Sequence, residues 1–184
     1  MRTIRYGVAM SLDGYIADPK GGYDWIVIDP DIDFTAMYAR YDTFIMGRKT
    51  YELMQSMGEA ESTGTKGKAT VVLSRTMRQE DHPQVTVVSD DTWRGVVDKL
   101  RRKRGKDIWL FGGGEVFRTL LNAGYVDALE VAIIPVVLGG GIQFLPPPGT
   151  LTKLKLTKQR VYKKTGTLML EYDVVKRRGR AHKR

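Results

Sequence analysis

The chain has 184 residues, of which 42% are hydrophobic and 28% are charged, an ordinary balance for one globular domain with its own core. It contains no cysteine and two histidines, His82 and His182, so disulfides and thiolate sites are excluded and no metal site is expected. The net charge is +9, and no apolar run is long enough to span a bilayer, so we expect a cytoplasmic protein without a membrane partner.

Positive charge is concentrated at the end of the chain. Residues 176–184 carry six basic side chains and no acid. Such a segment can bind nucleic acid, but it is more often a disordered, solubilising end. We expect the second case, with one domain over residues 1–175 and a disordered tail over 176–184.

The first part of the chain alternates apolar runs with polar turns. A strand is predicted over Thr3 to Met10. A short helix carrying Phe34, Met37, Tyr38 and Tyr41 follows, capped by Asp31 or Asp33. Thr43 to Met46 reads as a buried strand, Thr50 to Met54 as a helix, and Gly58 to Gly67 as a loop.

The second part of the chain continues this alternation. Strands are predicted over Ala69 to Leu73, Val85 to Val88 and Ala128 to Val137. A helix with Trp93, Val96, Val97 and Leu100 on one face is capped by Ser89, Asp90 or Asp91. A closing hairpin runs from Leu154 to Val161 and from Leu168 to Val175, around the turn Lys164-Thr165-Gly166. This order predicts an α/β domain with a mixed sheet.

Two glycine turns follow apolar strands and point to an anionic ligand. Asp107 to Phe111 runs into Gly112-Gly113-Gly114, after which a helix begins at once. Gly47-Arg48-Lys49-Thr50 stands in the same way after the earlier strand. Glycines allow close approach of the backbone, and the N–H groups of a helix start favour phosphates. Each turn alone could equally be a simple helix entry, but two suggest a dinucleotide. The Rossmann motif does not fit, because Phe117 stands at its third glycine position.

The chain resembles the dihydrofolate reductase superfamily. The resemblance rests on Thr43 to Glu52, Val72 to Thr76 and Leu110 to Phe117. Met10 to Ala17 and Pro135 to Gly141 look instead like the reductase domain of the bifunctional riboflavin-biosynthesis deaminase-reductases. These five features occur in order. They imply a dihydrofolate-reductase-like, three-layer α/β/α fold, with a mostly parallel central sheet and a C-terminal antiparallel hairpin.

The resemblance also implies a cofactor, NADPH, held in an extended pose at the carboxyl edge of the sheet. The turn after Met46 would bind its phosphates, the turn after Leu73 its 2′-phosphate, and the turn after Phe111 its pyrophosphate. A mobile lid is expected over Gly22 to Trp25. The expected cofactor-binding residues are Ala9, Ile16, Gly47, Arg48, Lys49, Thr50, Ser74, Arg75, Thr76, Gly112, Gly113, Gly114, Glu115 and Val116. Taken singly, Arg48 and Arg75 could be surface ion-pair partners and Ser74 a cap.

Candidate catalytic residues are carboxylates. In the folate enzymes an acid on the first helix orients or protonates the pterin, and counting back from Gly47 places Asp31 at that position. Asp13 is a second candidate. Both have ordinary structural alternatives, Asp31 as a helix cap and Asp13 as a turn former.

The substrate is not named by these motifs. Phe117 and Ala132 stand where folate reductases carry hydroxyl groups, and Phe111 stands where the riboflavin reductases carry an acid. The sequence also lacks the His-x-Glu and cysteines of a zinc deaminase. We therefore expect an NADPH-dependent reductase of a small, heterocyclic, pterin- or pyrimidine-like substrate. A non-catalytic nucleotide-binding module and nucleic-acid binding through the tail remain the alternatives. A homodimer is expected by the same resemblance.

Overall fold

The computed structural model describes residues 1–56 and 67–176. The predicted loop from Gly58 falls outside the described residues up to position 66, as does the tail from 177 onward. The described strands are β1 (Ile4–Ser11), β2 (Tyr15–Ala17), β3 (Tyr41–Gly47), β4 (Ala69–Leu73), β5 (Thr86–Val88), β6 (Asp107–Gly112), β7 (Ala128–Ile134), β8 (Ile142–Gln143), β9 (Leu154–Tyr162) and β10 (Thr167–Val174). The described helices are α1 (Phe34–Ala39), α2 (Arg48–Ser56), α3 (Trp93–Arg102) and α4 (Gly114–Asn122).

Eight strands form one mixed sheet in the order β5-β4-β3-β6-β1-β7-β10-β9. The first six strands in this order, β5 through β7, are parallel to one another. Strands β10 and β9 add to the edge at β7 in antiparallel orientation. A separate ribbon pairs β2 with β8. The predicted mixed sheet with a terminal hairpin is therefore confirmed.

The parallel part of the sheet is buried on both faces, because alternate side chains of its strands enter two different cores. Ile108 and Leu110 of β6 pack with α3 and α4, whereas Trp109 between them packs with α2 and part of α1. On β3, Ile45 packs in the same core as Ile108 and Leu110, whereas Phe44 packs in the core that contains Trp109. This period of two gives the three layers of the fold.

The helix starts differ in part from the sequence expectations. Asp33 caps α1, its Oδ1 accepting the Ala36 N–H at 2.8 Å. Tyr41 does not lie on this helix but begins β3, since α1 ends at Ala39. The predicted caps of α3 are wrong. Thr92 holds the cap position without a side-chain cap bond, because its hydroxyl instead accepts the Ser89 N–H at 3.0 Å.

Strand β7 is shorter than predicted. It ends at Ile134 rather than Val137, because Pro135 cannot donate a hydrogen bond to the ladder. The ribbon of β2 and β8 was not anticipated, since three- and two-residue strands carry no readable alternation. In the part of the chain that the structure describes, no helix is long and apolar enough to cross a membrane.

Candidate functional site

A large cleft opens at the carboxyl ends of the parallel strands. Its volume is about 1380 Å³, and the ends of β3, β4 and β6 line it together with the middle of β1 and β7. In open α/β sheets ligands bind at this edge. The order of the strands brings the ends of β4, β3 and β6 side by side. The three turns predicted to bind phosphates therefore meet in one place.

The two glycine turns face each other. Met46 at the end of β3 lies opposite Gly112 at the end of β6. A Cβ atom on Gly112 or Gly113 would stand 3.8 Å from Thr50 Oγ1, and one on Gly47 would stand 3.0 Å from Val116 Cγ2. Gly112 has a φ of +145°, which side chains rarely adopt, so this position requires glycine.

Helices α2 and α4 begin at this junction. The cap residue of α4 is Gly113, which offers no side-chain acceptor, so the first N–H groups of the helix have no side-chain cap. A Cβ on Gly114 would come 2.5 Å from the Gln143 carbonyl oxygen, so the backbone at Gln143 packs directly against Gly114. Free N–H groups and the positive end of the helix dipole suit an anionic group.

The third turn lies at the end of β4. Ser74 Oγ accepts hydrogen bonds from the N–H groups of Thr76 and Met77, at 3.1 and 3.0 Å. Ser74 thus caps this turn, which is the structural role considered for it from the sequence. It also lines the cleft. Arg75 is exposed beside it and forms no ion pair within the described residues.

Arg48 has both of the roles that the sequence left open. It lines the cleft, and its guanidinium pairs with Glu52 one turn along α2, at 2.7 Å. Both side chains are more than a third exposed, so this pair is weak and leaves Arg48 free to reach another anion.

All of the residues expected to bind the cofactor line this one cleft. They are Ala9, Ile16, Gly47, Arg48, Lys49, Thr50, Ser74, Arg75, Thr76, Gly112, Gly113, Gly114, Glu115 and Val116. Their side chains and turns come from four strands and the ribbon, which the fold brings together.

The two carboxylates expected to be catalytic do not line the cleft. Asp13 lies in the turn after β1, where it accepts hydrogen bonds from the Ser11 hydroxyl at 2.6 Å and from two backbone N–H groups of 138–139. The Ser11 hydroxyl is the main cause that lowers the pKa of Asp13, and the two N–H groups add to it. Asp31 is exposed and pairs with Lys164 at 2.8 Å. Both side chains have structural partners outside the cleft.

Glu130 is a largely buried acid that the fold places in the cleft. It lies in the middle of β7, its side chain 11% exposed, and its Oε2 accepts hydrogen bonds from Arg40 Nη1 at 3.0 Å and from the Tyr41 hydroxyl at 3.4 Å. Burial and the nearby Glu130 carboxylate raise the pKa of Tyr41, which keeps this hydroxyl protonated as a donor.

An aromatic wall stands beside Glu130. It consists of Tyr38, Tyr41, Trp109 and Phe111, all of which line the cleft. Their rings pack around Trp109 with centroid distances of 4.9 to 5.3 Å. Trp109 Nε1 donates to the Gly7 carbonyl oxygen at 3.0 Å, which fixes the indole against the sheet.

The sequence reasoning missed Glu130 and Trp109. One signal was available, because Glu130 is the single charge within the otherwise apolar run Ala128–Ile134. A lone charge in a buried strand needs a partner or a function. Phe117, considered as a substrate position, instead lies in the core and stacks on Tyr6 at 3.9 Å, whereas Ala132 and Phe111 do line the cleft.

The loop between β2 and α1 covers one side of the cleft. Tyr23 of the expected lid lines it, as do the neighbouring residues Gly21, Ile26, Val27 and Ile28. Val27 and Ile28 are more than half exposed, although both are apolar. The loop is fixed at its far end by Asp29, which is fully buried.

Comparison with known proteins assigns the family. A profile of the RibD C-terminal domain matches residues 2–168. The chain belongs to the RibD C-terminal domain family. This agrees with the resemblance carried by Met10 to Ala17 and Pro135 to Gly141.

Relatives extend over nearly the whole chain. The uncharacterised protein YyaP of Bacillus subtilis (strain 168) is 33% identical over 180 residues, 93% of this chain and 94% of that protein. A provisionally named riboflavin biosynthesis protein from Shewanella sp. PV-4 superposes with a TM-score of 0.79 at 25% identity, covering 95% of this chain and 99% of that one.

A reductase shares the fold at lower identity. Dihydrofolate reductase from Enterococcus faecalis, solved with NADP(H) and RAB-propyl, superposes with a TM-score of 0.67 at 17% identity. The match covers 95% of this chain and 97% of that one. At this identity the likeness concerns the fold alone, and it establishes the dihydrofolate-reductase-like architecture expected from the sequence.

Proposed function

We propose that the chain binds NADPH along the carboxyl edge of its sheet and reduces a C=N or C=O bond of a small heterocyclic substrate. The observation that carries this proposal is the contact between the two glycine turns. The turn after β3 and the turn after β6 present two helix starts to one gap, with Thr50 Oγ1 3.8 Å from the Cβ positions of Gly112 and Gly113.

The residues present fit a dinucleotide phosphate. The gap between the turns has no side chain from Gly112 or Gly113, and the start of α4 lacks a side-chain cap. Arg48 and Lys49 bring cations to the same place. These groups would hold the pyrophosphate through backbone N–H donors and charge.

Arg75 and Ser74 supply selectivity for a phosphorylated ribose. They lie at the end of β4, the strand next to β3, and Arg75 has no competing acid among the described residues. An arginine binds phosphate with charge-assisted, two-pronged hydrogen bonds. The site should therefore prefer NADPH to NADH.

The reaction uses the far part of the cleft. NADPH supplies the hydride when bound. Ala9 and Ile16 line the cleft where the nicotinamide would lie, and the loop with Val27 and Ile28 offers apolar side chains that would exclude water. Glu130 and the aromatic wall lie beside this place and hold the substrate.

Changing Arg48 and Arg75 together to alanine tests the proposal. Hydrogen bonds to charged groups contribute about 1.5–3 kcal/mol each, so the double variant should bind NADPH at least about tenfold more weakly. Its melting temperature should stay close to that of the parent, because both side chains are on the surface. Unchanged NADPH affinity in a folded double variant would reject the model. The matched control changes Arg94 and Arg102 on α3, outside the cleft.

A further inference from the structure

Glu130 has an oxygen with no partner. Its Oε2 accepts hydrogen bonds from Arg40 and from Tyr41, but its Oε1 accepts none from the described residues. The residue is 9% exposed, and it lines the cleft. Oε1 is not fully enclosed by the protein, so it is open to accept a hydrogen bond from a group that enters through the cleft.

The neighbouring Glu171 shows the contrast. It lies directly opposite Glu130 on β10. Three cations surround its carboxylate, Lys158 at 3.4 Å, Arg5 at 3.8 Å and Arg40 at 3.9 Å. Glu171 does not line the main cleft. The two acids thus have different environments. Glu171 is surrounded by three cations, whereas Glu130 keeps one oxygen that accepts no hydrogen bond from the described residues.

The charge along the cleft is unevenly distributed. Among the described residues that line it, the cations are Lys20, Arg48, Lys49 and Arg75 and the acids are Glu115 and Glu130. Glu115 lies in the first turn of α4, next to the glycine turns, and Lys20 belongs to the covering loop. Among the described residues that line the cleft, Glu130 is therefore the one charged group beside the aromatic wall. Arg40 and Lys68, which do not line the cleft, lie over the Tyr41 and Tyr38 rings, and Arg40 pairs with Glu130.

The floor beside Glu130 is flat because its residues are small. Gly7 lies opposite Glu130 on β1, and Ala9 lies opposite Ala132 two positions along. A Cβ on Gly7 would come 2.6 Å from Trp109 Nε1, so the indole lies directly over the backbone there. A flat floor beside an indole accommodates a planar ring.

This inference rests on the proposed function. We propose that Glu130 selects the substrate: its Oε1 accepts a hydrogen bond from an amino or ring N–H of a planar nitrogen heterocycle that lies on Ala9 and Ala132 beside Trp109. The ligand is therefore a planar heterocycle that carries an amino or ring N–H group. Rings of the same size without an N–H group do not supply the donor. Arg40 and Tyr41 act as positioning residues, because they hold Oε2 and thereby aim Oε1.

Two matched probes test this proposal. 2-Aminoquinoline and 2-methylquinoline have nearly the same shape, but the first carries N–H donors where the second carries a methyl group. Calorimetric titration of each into the protein saturated with NADPH gives their affinity ratio. We expect the wild type to prefer the amino compound by about tenfold or more, because a charge-assisted hydrogen bond replaces an apolar contact. A preference below about threefold overturns the proposal. This comparison needs only the wild-type protein.

The Glu130→Gln variant locates the donor contact. We expect the preference for 2-aminoquinoline to fall at least about fivefold, while the affinity for 2-methylquinoline changes less than twofold. Glu171→Gln, the same chemical change one strand away, should leave the preference intact. A preference that survives in Glu130→Gln overturns the proposal and leaves Glu130 as a structural partner of Arg40. If Glu130→Gln does not fold, Glu130→Asp keeps the charge for Arg40 but withdraws the carboxylate from the cleft, and the same loss is expected.

The same samples separate this inference from the proposed function. NADPH affinity is measured first in every variant, and it should be unchanged by Glu130→Gln because the glutamate lies away from the phosphate turns. NADPH binding without any amino preference contradicts the role of Glu130 alone. Failure of the wild type to bind NADPH contradicts the proposed function, and the quinoline ratio measured without NADPH then still decides the role of Glu130.

Discussion

Thr50 Oγ1 lies 3.8 Å from the point where a side chain of Gly112 would begin. The two residues come from different strand-turn-helix units, and parallel pairing of β3 with β6 brings them together. The width of the gap between them is thus set by the absence of a side chain on one side. We propose that this gap holds the cofactor phosphates.

Replacing Gly112 with alanine should damage both the fold and the site. The φ of +145° at this position is unfavourable for any side chain, with a cost of about 1–3 kcal/mol. The added methyl group would also narrow the gap to Thr50. We expect a lower melting temperature and at least about tenfold weaker NADPH binding, measured by thermal melts and fluorescence titration.

Gly95→Ala is the matched control for that variant. Gly95 lies inside α3, and a Cβ there would meet nothing within 4 Å. Alanine should therefore stabilise the protein by about 0.5–1 kcal/mol through helix propensity, with no effect on NADPH affinity. A destabilised Gly95→Ala would show that α3 is not packed as described.

The ion pair between Arg48 and Glu52 predicts a gain of affinity. Glu52 holds the guanidinium at 2.7 Å and competes with an incoming phosphate. Glu52→Gln should raise NADPH affinity about twofold and lower stability by about 0.3–0.5 kcal/mol, the typical contribution of an exposed helical pair. Isothermal titration at low and high salt checks this, since the difference should shrink as salt rises. Weaker NADPH binding in Glu52→Gln would contradict a phosphate role for Arg48.

Gly7→Ala tests the placement of the indole. The new Cβ would lie 2.6 Å from Trp109 Nε1, so the ring must leave its hydrogen bond to the Gly7 carbonyl. Overpacking of this kind costs about 1–3 kcal/mol. Chemical denaturation should show that loss, and the emission of Trp109 should shift as the indole leaves its buried position. A stable Gly7→Ala with unchanged emission would mean that the indole lies elsewhere.

Acid should loosen the attachment of the covering loop through Asp29. Burial opposes ionisation of this carboxyl, but hydrogen bonds from the Asp31 N–H and from the Thr165 hydroxyl and N–H outweigh it and lower its pKa below the ordinary 3.8. A group with a lowered folded pKa stabilises fully above its unfolded value, and the effect is lost as pH falls through the folded value. The melting temperature should therefore fall below about pH 4.

Asp29→Asn isolates this contribution. At pH 7 the variant should melt at a lower temperature than the wild type, because the amide cannot match the charge-assisted bonds to Thr165. Between pH 4 and pH 3 its melting temperature should change less than that of the wild type. An equal acid response in both proteins would show that other carboxyls, such as Asp42, determine it.

Much of the fold was predictable because its signals are local. β4 was predicted with the bounds the structure shows, and the strand, turn and helix around Gly112 were read from an apolar run, three glycines and an amphipathic pattern. The turns that we propose as the cofactor site were found from the same local signals, since phosphate-binding chemistry resides in contiguous residues. Tyr41 was predicted on the first helix but begins β3. Its spacing from Met37 and Tyr38 fits a helix, and nothing in the local sequence shows that a strand begins there.

The residues that we propose to contact the substrate were not predictable in the same way, because their placement depends on pairing between distant strands. Glu130 reaches the cleft only through the register that sets it opposite Gly7 of β1. Asp13 and Asp31 have the local sequence of candidate acids, but hydrogen bonds from residues 138–139 and from Lys164 hold them elsewhere. Those partners lie more than 100 positions away, beyond the reach of local patterns.

The most direct measurement is the affinity of the purified protein for NADPH and for NADH under identical conditions. We expect saturable binding of NADPH and at least about tenfold weaker binding of NADH, because the 2′-phosphate gains a charge-assisted contact at Arg75. We also expect NADPH to raise the melting temperature. If neither nucleotide binds, or if NADH binds as tightly as NADPH, the assignment of the three turns to the cofactor is contradicted.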